Sequence, residues 1–176
     1  MPEIEAKILD IDPDRLRLRL AELGAPRSFA GELHAIFFSH PADDLAARGA
    51  VLRLRREGEA TVLTYKERMP DHDPALKVLD EREVGVADFA GMREILRGLG
   101  YREMKSTRKF REQFELPGAH VVIDSYREEL AYIPVFCEIE AASEARLYAV
   151  AETLGYTRDQ LSAMNSFELA AHYAKR

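Results

Sequence analysis

Eight short stretches of this chain alternate residue by residue, and in nearly all of them one phase is apolar and the other ionic. Side chains two apart on a β-strand share a face, so the pattern predicts strands over 3–9, 35–39, 51–56, 61–66, 80–86, 109–116, 121–125 and 135–141. Glu3, Glu5 and Lys7 then oppose Ile4, Ala6 and Ile8, and Arg53 with Arg55 opposes Leu52 with Leu54. Thr64 and Lys66 oppose Leu63 and Tyr65; Lys109 and Arg111 oppose Phe110; Glu138 and Glu140 oppose Cys137 and Ile139. Asp124 lies on the polar phase of its strand, against Ile123.

Between these runs the period changes to that of helices. Asp12-Pro13 supplies a cap and a proline at the first helical position, Leu16, Leu20 and Leu23 form a stripe, and Gly24 ends it. Similar segments begin at Asp88 and Ser143 and close on Leu99-Gly100 and Leu154-Gly155, and a fourth runs from Ser166 to about Lys175. A strand with acids two apart, then a helix ending in Leu-Gly, recurs three times, around Glu3-Ile4-Glu5, Glu81-Arg82-Glu83 and Glu138-Ile139-Glu140. Glu57-Gly58-Glu59 and Pro117-Gly118 sit at hairpin distance between strands, so antiparallel pairing is the default. The expectation is one α+β domain over 1–176: a closed or nearly closed antiparallel sheet with helices packed outside.

Charge and cysteine usage narrow the function classes. With 25 Lys plus Arg against 31 Asp plus Glu, the net charge is −6, which gives no footing for nucleic acid. The one cysteine, Cys137, reads as a buried strand residue, and no run is long and apolar enough for a membrane span. The acidic start Met1-Pro2-Glu3-Ile4-Glu5 is unlike a signal peptide. A reducing cytoplasm is the expected location.

Two arrangements satisfy the ionic faces. One is a half-exposed sheet with its polar face solvated. The other is a barrel turned polar side in. Same-sign neighbours such as Glu3 with Glu5, Arg53 with Arg55 and Lys109 with Arg111 repel unless something lies between them, and this favours the barrel. Its interior would collect the acids Glu3, Glu5, Glu81, Glu83, Asp124, Glu138 and Glu140 with the bases Lys7, Arg53, Arg55, Lys66, Lys109 and Arg111. Burying so many ions dry costs several kcal/mol each, so the tunnel must be wet or ligand-filled. Acid clusters suit hard divalent cations and arginine clusters suit phosphate oxygens. Together they point to a metal-chelated polyphosphate.

On these residues the chain resembles the CYTH superfamily, the triphosphate tunnel metalloenzymes that include class IV adenylyl cyclases and thiamine triphosphatases. Glu3-Ile4-Glu5-Ala6-Lys7 resembles the family's E-x-E-x-K signature, and Val51 to Arg55, Leu63 to Lys66 and Lys109 to Phe114 resemble its L-R-x-R, L-T-Y-K and K-x-R-x-x-aromatic strands. Val122-Ile123-Asp124 and Glu138-Ile139-Glu140 are similar to its late acidic strands, and Ser166 to Leu169 to its terminal helix. The chain departs from the cyclases at Leu79, where an arginine is often found, and in the longer glycine-free approach Leu130 to Phe136.

The resemblance implies an eight-stranded antiparallel tunnel barrel, Mg²⁺ or Mn²⁺ as cofactor, and a small triphosphate such as ATP, tripolyphosphate or thiamine triphosphate as substrate, with no nucleic acid or membrane partner and a homodimer left open. By position it implies Glu3, Glu5, Asp124, Glu138 and Glu140 as metal ligands and Arg53, Arg55, Lys66, Lys109 and Arg111 as triphosphate ligands. Lys7 and Glu5 are the candidate catalytic residues. Nearby carboxylates would keep Lys7 charged as a phosphate clamp, whereas arginines and a cation would push it toward a general base. For Glu81 and Glu83 the choices are a second metal or pairing with the arginines, and pairing is the expectation. The implied reaction is conversion of ATP to cyclic AMP and pyrophosphate; the alternatives are a triphosphatase and a non-catalytic polyphosphate or nucleotide sensor. The five histidines lack a zinc spacing and read as loop or surface residues, and 69–74 reads as a loop near the tunnel mouth.

Overall fold

The computed structural model describes residues 3–69 and 73–175, with the side chain of Glu3 outside the described set. Its strands run in the order β5-β4-β3-β2-β6-β7-β8-β1-β9, every pair antiparallel, and β5 also pairs with β1. That last pairing closes eight strands into a barrel: β1 (Glu3–Ile8), β2 (Arg27–Ser39), β3 (Ala50–Glu57), β4 (Ala60–Arg68), β5 (Lys77–Gly85), β6 (Arg102–Leu116), β7 (Ala119–Tyr126) and β8 (Phe136–Ala141). The two-residue β9 (Leu161–Ser162) pairs with the C-terminal end of β1.

The apolar phase of the strands faces outward, onto helices. Leu16 and Leu20 of α1 (Pro13–Glu22) and Leu147 and Val150 of α3 (Glu144–Thr153) pack with Ile4, Ala6, Val121, Ile123 and Ile139 in one buried cluster. Phe89 and Leu96 of α2 (Phe89–Gly98) cover Ile36, Phe38 and Leu54. Because the helices take the apolar face, the ionic phase is left to the interior.

The fourth helix, α4 (Ser166–Tyr173), has a different task. Its Leu169 and Tyr173 pack with Tyr126 and Phe136, which share strand phase with Asp124 and Glu138 and so point inward at one end of the barrel. This helix therefore stands across that end.

Local chemistry sets the helix bounds. Asp12 accepts from the Asp14 and Arg15 amides at 3.1 Å each, Ser143 accepts from the Arg146 amide, and Asn165 and Glu168 form a reciprocal capping box. Gly24, Gly100 and Gly155 take φ of +68°, +91° and +90° after the three Leu-Gly stops, a conformation in which any side chain would be strained.

Two strands exceed the sequence expectation. Instead of 35–39 and 109–116, β2 and β6 extend from 27 and 102 and pair along nearly their whole length. The added segments are largely exposed, and only Phe29 and the buried Leu33 mark an apolar phase in them, too sparsely to announce a strand. A register shift between Phe37 and Phe38 puts Lys105 opposite Phe37 and Glu103 opposite Phe38. Glu103 accordingly meets Arg93 and Arg97 of α2 on the outside.

One ion cluster on the outer wall anchors α1. Glu112 is 6% exposed and accepts from Arg17 Nε and Nη2 at 2.9 and 2.7 Å, with Arg27 at 3.3 Å. Arg17 is partly solvated, which discounts the pair. Glu112→Ala is expected to lose about 1–2 kcal/mol, roughly 3–8 °C in Tm, with polyphosphate affinity unchanged; thermal denaturation and a ligand titration check both halves. Among the described residues, no helix is long and apolar enough to cross a membrane.

Candidate functional site

The inward faces enclose a cavity of about 580 Å³. Glu5, Lys7, Arg53, Arg55, Lys66, Lys109, Arg111, Glu138 and Glu140 all line it, as do Glu81 and Glu83. The geometry chosen from the same-sign pairs is therefore the observed one. Glu3 lies on β1, but its side chain falls outside the described residues.

Register brings the acids together. Glu5 lies opposite Glu140, and Lys7 opposite Glu138, across β1 and β8. Glu5, Glu138 and Glu140 each offer a carboxylate oxygen within 4.8 Å of the others. Opposite oxygens of an octahedral Mg²⁺ shell lie about 4 Å apart, so small side-chain movements would let these three hard donors fit one divalent cation. Glu5 and Glu138 are 4% and 7% exposed, an environment that favours charge compensation by an ion.

Lysines surround the same carboxylates. Lys7 Nζ is 3.0 Å from Glu138 and 3.8 Å from Glu5. Burial works to lower the Lys7 pKa, but the two carboxylates outweigh it and hold the ammonium well above its usual range. Lys7 thus carries its proton in this arrangement. Burial alone would raise the Glu138 carboxyl, but Lys7, Arg111 and Lys109 outweigh it and hold it well below the usual carboxylate range. Lys66 pairs with Glu81 at 2.9 Å and lies 3.9 Å from Glu5. Arg55 is 3.4 Å from Glu57 and 3.6 Å from Glu83, so Glu81 and Glu83 do pair with the bases.

Asp124 does not join the carboxylate group. It is 0% exposed and shares its two oxygens with Arg111, at 2.9 and 2.7 Å, and with Lys109. The cause is register: Arg111 lies directly opposite Asp124 on β6 and β7. Burial alone would raise this carboxyl, and Arg111 and Lys109 more than cancel it, holding it below the usual range. Among the described residues, Asp124 therefore pairs with the basic wall and lies outside the three-carboxylate group.

The basic wall itself is strained electrostatically. Burial, with Arg55 and Arg111 close by, lowers the Arg53 pKa, and among the described residues the buried Nε atoms of Arg53 and Arg55 find no hydrogen-bond partner. Buried donors without partners are costly, and an anion would relieve them. Burial and Arg111 pull Lys109 down to about 8 against the attraction of Asp124. A bound polyanion restores its proton, so binding favours the protonated form. Metal-free ATP affinity is accordingly expected to fall as pH rises through about 8, by at most about tenfold per unit. Lys109→Gln should flatten that limb in a pH series of binding titrations with EDTA.

Sequence reasoning missed Lys77, whose Nζ donates to Glu5. The strand there begins at Lys77 instead of Asp80; carried back, the same parity puts 77 on the face of Glu81 and Glu83. Phe37, Gln113 and the start of α4 also line the cavity. His120 stands on β7 and meets Glu115, while Cys137 is wholly buried with burial pushing its thiol up. Of the 69–74 loop, 70–72 lie outside the described residues.

A model of the CYTH domain matches residues 1–164. The chain belongs to the CYTH domain family. Among curated proteins, this CYTH chain is 29% identical over 140 residues to a Methanocaldococcus jannaschii protein named "putative adenylate cyclase", covering 80% of this chain and 77% of that one. A Vibrio parahaemolyticus structure given the same name superposes with a TM-score of 0.80 at 16% identity, over 97% of this chain and 98% of the other. A Hippeastrum structure, described as a "putative adenylyl cyclase" with "a dominant triphosphatase activity", gives 0.70 at 19% identity over 97% and 95%. At these identities, the two structures bear on the fold alone.

Proposed function

We propose that this CYTH protein is a metal-dependent enzyme acting on a triphosphate held in the tunnel, with conversion of ATP to cyclic AMP and pyrophosphate as its leading reaction. The observation that carries the reading is the convergence, inside one closed barrel, of a three-carboxylate cluster with the inward-facing bases Arg53, Arg55, Lys66, Lys109 and Arg111. The name of the Methanocaldococcus jannaschii relative supports the cyclase form.

Arg53, Arg55, Lys66, Lys109 and Arg111 would hold phosphate oxygens, the arginines by bidentate contacts. Glu5, Glu138 and Glu140, with Glu3 from the sequence pattern, would hold Mg²⁺ or Mn²⁺. When bound, such an ion supplies charge stabilisation at the reacting phosphate. The chain's own contribution is positioning and fixed charge: Asp124 holds Arg111 and Lys109 in place, and Lys7, kept protonated by Glu5 and Glu138, serves as a clamp. Attack by a ribose hydroxyl on the α-phosphorus gives the cyclase; attack by water gives a triphosphatase in the same tunnel.

Product analysis tests the reading. ATP, tripolyphosphate and thiamine triphosphate are incubated with Mg²⁺, Mn²⁺ or EDTA and resolved chromatographically. Cyclic AMP with pyrophosphate supports the cyclase and orthophosphate the hydrolase. Metal-dependent binding without turnover would reduce the protein to a sensor and refute the enzymatic reading.

A further inference from the structure

The β2–β3 ladder orders the tunnel's chemistry along its length. Inward side chains face one another as Leu33 with Glu57, Ala35 with Arg55, and Phe37 with Arg53. The next inward residue of β3 is Val51. Toward α4 the wall therefore changes from acid to guanidinium to aromatic and aliphatic, in steps of about 7 Å. On the other side of Phe37, β6 contributes Lys105.

Phe167 completes this collar. Its helix buries Leu169, Ala170 and Tyr173, yet Phe167 lies outside that cluster, lines the cavity and remains 42% exposed. Its ring meets Phe37 edge to face at 5.3 Å between centroids, and Lys105 Nζ is 5.2 Å from its centroid. An inorganic polyphosphate offers two phenyl rings nothing to pack against, while the Arg53 Nε beside them is a buried donor that an anion would satisfy.

We propose that Phe37 and Phe167 form the subsite for a planar aromatic heterocycle, so that the tunnel takes an organic triphosphate, foremost a nucleoside triphosphate, with its ring on this pair and its phosphates running inward from Arg53. This rests on the triphosphate reading above and adds the residues that hold the organic part. Stacking of a base on an aromatic side chain is sequence-tolerant and substantial, and the Lys105 cation over the Phe167 ring helps to hold it in place.

The test compares affinities of ATP, thiamine triphosphate and tripolyphosphate, with Mn²⁺ present, for wild type, Phe167→Ala and Phe167→Trp. Phe167→Ala is expected to weaken an aromatic triphosphate by roughly tenfold or more, to change tripolyphosphate by less than about twofold, and Phe167→Trp to restore the loss. The arm that responds, ATP or thiamine triphosphate, identifies the ring, and either response supports the proposal. Equal losses on all ligands, or none on the aromatic ones, would overturn it while leaving the triphosphate reading intact. Should wild type bind no triphosphate at all, both fall together. Phe167 is exposed enough that its truncation leaves the fold in place, and an unchanged Tm checks this.

Discussion

Replacing Glu5 with Gln is expected to lower metal-supported turnover by about three orders of magnitude while leaving metal-free polyphosphate binding unchanged or tighter. The first half follows from charge. Glu5 is one of three carboxylates within reach of a single cation, and such an ion accounts for several kcal/mol of transition-state stabilisation. The second half follows from the lysines. Lys77 donates to Glu5, and Lys7 and Lys66 lie 3.8 and 3.9 Å from it. Removing the negative charge frees that positive field for phosphate oxygens. Glutamine keeps the shape and a hydrogen-bond acceptor, so Tm should move by only a few degrees. Steady-state kinetics, an EDTA binding titration and thermal denaturation read the three quantities separately. An active Glu5→Gln enzyme would remove the metal assignment from this cluster.

Removal of the Asp124 carboxylate should act on stability first. The residue is wholly buried between Arg111 and Lys109, and Asp124→Ala leaves two buried cations uncompensated. Breaking such a pair from one side costs about 3–5 kcal/mol, or roughly 6–20 °C in Tm for a chain of this size. A polyanion can stand in for the lost charge, so saturating tripolyphosphate is expected to recover part of the loss through linkage, and more of it than wild type gains from the same ligand. Were Asp124 chiefly a metal ligand, the variant would instead show near-normal metal-free stability and a weakened metal requirement. Thermal scans with and without tripolyphosphate distinguish these.

Why the site was so far visible from sequence comes down to parity. On β1, β3 and β8 the apolar phase is unbroken, so Ile4-Ala6, Leu52-Leu54 and Cys137-Ile139 fix which way Glu5, Arg53 and Glu138 point. Caps and Leu-Gly stops did the same for the helices. Strand length was less visible in the largely exposed halves of β2 and β6, where Phe29 and Leu33 are a sparse apolar phase and the strands extend on hydrogen bonds with each other. Lys77 was hidden because β5 starts before its charged run. Parity also puts Asp124 inside without saying which charge it meets, because Arg111 reaches it only through the β6–β7 register. Partnership across strands is a property of register, and register is set by the closed sheet as a whole.

The central claim is that the inward ionic faces form one site for a metal-chelated triphosphate. Its most direct test is a calorimetric titration of tripolyphosphate into the protein at physiological salt, once with Mn²⁺ and once with EDTA. One saturable site per chain is expected, tightening by roughly tenfold or more with Mn²⁺. Absence of saturable binding in both conditions would contradict it.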